Sequence, residues 1–207
     1  MRLYQHANSY CRYDYNPIKA QFVIRMPTLT HNTFALDLNI EILNRLHSLA
    51  DTKPDTRAFI EKIISVSGKL EIPILDKAQQ PDIGHEPDIM FKQEDAIWPG
   101  VVIEVANSQK KKSLPDLADD YILGTYGSIN VVVGLDLDYR KSKKASVSIW
   151  RLKSSINDDG EVEGEVVQVV DNQVSMKVSL SWGLTKKLSF SETPTATPSS
   201  LPRLASS

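Results

Sequence analysis

The chain's apolar and polar positions alternate between two periods. Gln21-Phe22-Val23-Ile24-Arg25-Met26 reads as a short strand stopped by Pro27. Residues 34–50 place Leu36, Ile40, Leu43 and Leu46 on one helical stripe. Pro54 opens a second helical segment whose apolar face is Phe59, Ile60, Ile63 and Ile64, with Gly68 as its stop. Strand patterns follow over 69–75, 86–91, 101–106 and 129–138. A helix is expected between the last two. Ser113 serves as N-cap, Pro115 lies in the first turn, and Asp116 stands at a capping-box-like spacing. Leu114, Leu117, Ala118, Tyr121 and Ile122 form its inner side, and Gly124 or Gly127 ends it. Beyond residue 144, ASVSIWRL, EGEVVQVV and QVSMKVSL alternate with period two, which predicts an antiparallel β extension. The order of elements implies an α/β fold with a mixed central sheet flanked by helices.

The strand Val101-Val102-Ile103-Glu104-Val105-Ala106 is apolar on both faces except at Glu104. Such a run normally marks a strand covered on both sides. A carboxylate there needs a partner, a hydrogen bond or a metal. Asp88, beside Ile89, Met90 and Phe91, repeats the pattern. The polar link 92–100 contains Pro99-Gly100 and predicts a hairpin in which Phe91 lies opposite Val101 and Asp88 opposite Glu104. Both carboxylates then share a face, with Cβ atoms about 5 Å apart. A divalent cation relieves the repulsion, and carboxylates suit hard ions such as Mg²⁺. The spacing alone fits equally a sheet edge where both acids face water.

The length of 207 residues suits one domain with an appendage, and the 24 Lys and Arg against 26 Asp and Glu exclude a strongly cationic nucleic-acid coat. A local basic groove remains open. The candidates are Lys110-Lys111-Lys112 and the cluster Arg140, Lys141, Lys143 and Lys144. A solvated turn is the commoner role for such runs. The single Cys11 rules out an internal disulfide and a cysteine-based zinc site. Neither a leader pattern nor a long apolar run is seen, so a cytoplasmic or nuclear protein is expected. Residues 191–207 contain eleven Ser, Thr or Pro and read as a disordered tail. Trp98 and Trp150 are expected in core or rim packing. His31 reads as a hydrogen bonder at the start of a helix. His85 points away from the Asp88 face and is not assigned to catalysis.

Pro87-Asp88, fifteen intervening residues and Glu104-Val105-Ala106 resemble the core motif of the PD-(D/E)XK nuclease superfamily. The wider string resembles its restriction-endonuclease family of the Uma-two type: His85 to Asp88, Trp98 to Val105, Ser108-Gln109, Tyr121, and upstream Arg25 to Thr28 with His31. The resemblance spans about residues 20–152. It implies a nuclease-like core over 20–152, preceded by an N-terminal segment 1–19 and followed by a β extension 153–190. It also implies a restriction-endonuclease-like fold that hydrolyses DNA phosphodiesters through a metal-activated water. Asp88, Glu104 and the Val105 carbonyl would bind Mg²⁺ or Mn²⁺. The superfamily's lysine position is Ala106 here, and the relocated position one turn before Tyr121 is Leu117. Gln109 or Lys110 is then the catalytic candidate, and Lys110, Lys111 and Lys112 are the candidates for DNA contact. Some relatives carry glutamate where this chain has Asn32. The alternative reading is a catalytically weakened module that binds nucleic acid or a protein partner. DNA is the implied partner, no membrane partner is expected, and many nucleases of this type work as homodimers.

Overall fold

A computed structural model describes residues 12–16, 21–25, 27–67, 71–75, 81–107, 113–138, 144–156 and 161–177. The elements in chain order are β1 (Arg12–Asn16), β2 (Gln21–Arg25), α1 (Leu29–Thr52), α2 (Pro54–Ile60), β3 (Ile63–Ser67), β4 (Ile72–Leu75) and β5 (Pro81–His85). They continue with β6 (Ile89–Gln93), β7 (Val101–Asn107), α3 (Leu114–Leu123), β8 (Val131–Asp138), β9 (Lys144–Ile156) and β10 (Val162–Lys177). Six strands form a mixed sheet in the order β10-β9-β8-β7-β6-β3. Only the central pair β7–β8 is parallel. The remaining four form a second sheet ordered β2-β1-β5-β4. The chain is therefore α/β, with helices on both faces of a mixed sheet.

The covering of β7 follows from strand alternation. Ile103 and Val105 pack with Ile89 and Phe91 against Phe34, Ala35 and Leu38 of α1. Val102 and Ala106 pack with Met90 against Leu114, Ala118, Tyr121 and Ile122 of α3. Ile72 of β4 and Trp150 of β9 join this second core, and Trp98 packs against it. The central strand is thus buried on both sides, as its apolar run requires.

The hairpin register pairs Phe91 with Val101, Met90 with Val102 and Ile89 with Ile103. Gly100 N–H closes it by donating to the Phe91 carbonyl at 3.0 Å. The ladder starts at Ile89, so the expected pairing of Asp88 with Glu104 falls one residue outside it. Other expectations are corrected. Helix α1 starts five residues before the expected Phe34, capped by Thr28, whose side chain accepts from the His31 N–H. Its inner face is Phe34, Ala35 and Leu38, whereas Leu36 is 50% and Ile40 49% exposed. The sheet contacts of Phe34 and Leu38 fix the helix's rotation, which turns Leu36 and Ile40 of the expected stripe outward and leaves Leu43 packed at the edge of this core. The second helix ends at Ile60, and the β-branched run Ile63-Ile64-Ser65-Val66-Ser67 pairs with β6 instead. Ser113 has helical backbone angles and makes no capping bond from its side chain. The last two predicted strands are one strand, β10, kept continuous through three register shifts against β9. No described helix is long and apolar enough to cross a membrane.

Candidate metal centre

Asp88 and Glu104 are each 2% exposed. Neither carboxylate is left without hydrogen bonds. Asp88 stands one residue before β6, and its Oδ2 accepts the Val105 N–H at 2.7 Å. The side chain thereby continues the β6–β7 ladder where the backbone of β6 turns away. Glu104 lies on the α3 face of β7, where Oε1 accepts the Tyr121 hydroxyl at 2.8 Å. Tyr121 itself is fully buried. Thr125 braces the turn after it, donating to the Tyr121 carbonyl at 2.7 Å and accepting the Ile129 N–H at 3.1 Å.

His31 reaches the site from the first turn of α1. Its Nε2 lies 2.9 Å from the Val105 carbonyl oxygen and 3.3 Å from Asp88 Oδ2. A carbonyl only accepts, so Nε2 carries the proton in this arrangement. Nδ1 faces Asn32 Oδ1 at 3.4 Å. Burial on its own lowers the His31 pKa. The hydrogen bond and charge of Asp88, with smaller help from Val105 and Asn32, outweigh it and raise the pKa above 6.5. Asp88 Oδ2 and the Val105 oxygen thus both face His31 Nε2, and their negative potential favours positive charge there.

A second buried cluster adjoins the first. His85, at the end of β5, places Nε2 3.0 Å from Asp120 Oδ2 on α3. Its ring meets the Tyr121 ring edge-on, with centroids 5.3 Å apart. Asp120 thus turns towards the protein, while Asp116 and Asp119 are exposed. Although exposed, Asp119 is partly desolvated by its surroundings, and this, then the charges of Asp116 and Asp120, raises its pKa.

The other expected site residues fall as follows. Ala106 is 2% exposed within the α3-side core, and Leu117 packs half-buried against the same core. A lysine at 106 would be buried among apolar side chains away from water. Gln109, Lys110, Lys111 and Lys112 lie outside the described residues, as do 139–143 of the second basic cluster. His31 and Tyr121 acquire roles that local pattern did not show. The signal for Tyr121 was its place on the inner stripe of α3. For His31 it was only the position three residues after the Thr28 cap.

Asp88, Glu104 and the Val105 carbonyl are oxygen donors of the kind hard divalent ions take, but the Glu104 carboxylate is turned to Tyr121 on the α3 face while Asp88 meets His31. Among the described residues no group of three or more His, Cys, Asp and Glu side chains is placed to hold a metal. A site here depends on the Val105 carbonyl as well as side chains. Comparison with family models, curated proteins and solved structures finds no match to this chain.

Proposed function

We propose that the chain is a metal-dependent phosphodiester hydrolase that cleaves DNA, built on a restriction-endonuclease-like core. The observation that carries this reading is the approach of Asp88 Oδ2 and the Val105 oxygen to one atom, His31 Nε2, with the buried carboxylate of Glu104 on the adjacent residue. Asp88, Glu104 and Val105 would hold Mg²⁺ or Mn²⁺. The bound ion would supply Lewis acidity to a phosphoryl oxygen and lower the pKa of a coordinated water. Tyr121 fixes the orientation of Glu104, and the apolar cores on both faces of β7 keep the carboxylates' electrostatics strong. Gln109 and Lys110 to Lys112 follow β7 in sequence. Gln109 would orient a water, and the lysines would neutralise the phosphates of the DNA.

Cleavage of supercoiled plasmid and single-stranded DNA, with Mg²⁺ or Mn²⁺ and with chelator, tests the reading. Wild type should cleave only with metal, and Asp88→Ala and Glu104→Ala should each lose at least about 100-fold. Equal cleavage by wild type and both variants, with all three folded, sinks it.

One observation favours a second reading. Ala106 occupies the lysine position, and the His31 N–H already lies against the Val105 oxygen. A module of this architecture that binds nucleic acid or a protein partner without hydrolysing it fits those facts. It predicts DNA binding in chelator and no cleavage under any metal.

A further inference from the structure

We propose that His31 is itself a ligand of the metal, so that the centre selects a transition-type cation such as Mn²⁺ over Mg²⁺. The inference rests on the metal-dependent reading above and changes its ligand set. The geometry is the starting point. Ligands held about 2.1 Å from an octahedral ion lie about 3 Å from one another when adjacent. His31 Nε2 is 2.9 Å from the Val105 oxygen and 3.3 Å from Asp88 Oδ2. His31 Nε2, from α1, thus stands at the spacing of adjacent ligands from both the Val105 oxygen on β7 and Asp88 Oδ2 before β6.

The chemistry of the set follows from its atoms. Glu104 Oε1 is engaged by Tyr121 on the α3 side, whereas His31 arrives with α1 on the other face. The side-chain donor set beside the Asp88–Val105 pair among the described residues is therefore an imidazole nitrogen. Mg²⁺ prefers oxygen alone, whereas imidazole suits Mn²⁺, Fe²⁺, Co²⁺, Ni²⁺ and Zn²⁺. On binding, the ion takes Nε2: an imidazolium releases that proton to solvent and keeps the one on Nδ1, whereas a neutral ring moves its single proton from Nε2 to Nδ1 and releases none. The remaining ring proton then sits on Nδ1, where Asn32 Oδ1 is the acceptor at 3.4 Å. Metal-bound histidines are commonly oriented by such an acceptor on the far nitrogen. Asn32 is thus a positioning residue with a stated partner.

Mn²⁺ and Mg²⁺ binding to the full chain tests this directly. Calorimetry gives both affinities, and pulsed electron paramagnetic resonance of bound Mn²⁺ shows whether an imidazole ¹⁴N is coordinated. Wild type should bind Mn²⁺ at least about 10-fold tighter than Mg²⁺ and show the nitrogen coupling. His31→Ala should lose at least about 10-fold in Mn²⁺ affinity, with little change for Mg²⁺, and Asn32→Ala should lose about 10-fold. A folded His31→Ala that keeps the wild-type Mn²⁺ affinity overturns the proposal, as does bound Mn²⁺ without nitrogen coupling. The hydrolase reading survives both results if Asp88→Ala still abolishes metal binding. If wild type binds neither ion, the metal-dependent reading falls with the inference.

Discussion

The Tyr121 hydroxyl on α3 lies 2.8 Å from Glu104 Oε1 on β7, and both residues are buried. The bond joins a helix to the central strand through the one charged group that the strand's core must accommodate. Tyr121→Phe removes the donor and leaves the shape almost unchanged. The carboxylate then loses a buried partner, which costs about 1–3 kcal/mol. A thermal midpoint lowered by about 2–4 °C per kcal/mol is expected for a chain of this size. Thermal unfolding of wild type and variant measures it. Equal stability would show that Glu104 does not depend on this hydroxyl.

Ala106 stands where a nuclease of the resembled type carries lysine. The alignment of motif residues alone invites Ala106→Lys as a repair. The structure argues for the opposite outcome. Ala106 packs with Met90, Val102, Leu114 and Ala118 in the α3-side core. Overpacking there costs about 1–3 kcal/mol, and an amine buried without a partner adds to it. The variant should be less stable and no more active in DNA cleavage. Increased cleavage with undiminished stability would mean that the side chain at 106 reaches the metal centre.

The central hairpin was legible because two local signals agreed. The polar link 92–100 sets a symmetric turn, and the apolar runs on both sides fix the register, so Phe91 opposite Val101 follows from sequence alone. The Phe59 to Ile64 stretch was not legible, because its apolar positions satisfy a helical period as well as a strand. Pairing with β6 decides between them, and Phe59 is left 62% exposed at the end of α2. Strand β5, Pro81-Asp82-Ile83-Gly84-His85, has no apolar alternation and exists through pairing with β4 and β1. The site divides in the same way. Asp88 and Glu104 announce themselves as charges within apolar strands. The reach of His31 to Val105 spans 74 positions, and that of His85 to Asp120 spans 35. No local pattern encodes either.

Asp119 gives a pH dependence of definite sign. Its folded pKa is raised above 3.8 by partial desolvation and by Asp116 and Asp120. The folded chain therefore holds this proton more tightly than the unfolded chain. The resulting stability is present in full below pH 3.8 and is lost as pH rises through the folded pKa. At neutral pH the charge is a net penalty, and solvent screening keeps it within about 1 kcal/mol. Asp119→Asn should be slightly more stable than wild type at pH 7, with the gap closing near pH 3.5 and shrinking in 1 M salt. Denaturation midpoints across that range test it. A gap that widens on acidification would reverse the assigned sign.

Gly134 pairs with Glu104 across the parallel β7–β8 ladder. On this face of the sheet its missing side chain makes room for two others. A Cβ placed there would stand 2.9 Å from Leu114 Cδ1 and 2.9 Å from Trp150 Cζ3. These contacts are too short for carbon atoms, so Gly134→Val must shift the Leu114 side chain at the start of α3 and the Trp150 indole. Overpacking of this kind costs about 1–3 kcal/mol. The displacement also reaches the site, because α3 carries Tyr121 and holds Glu104 through it. Gly134→Val should therefore lower the unfolding midpoint and, under the proposed hydrolase activity, DNA cleavage. Leu114→Ala in the same chain should recover part of the stability by vacating the contested space. A Gly134→Val protein as stable as wild type, with no gain from Leu114→Ala, would show that the core beside Glu104 is looser than these contacts require.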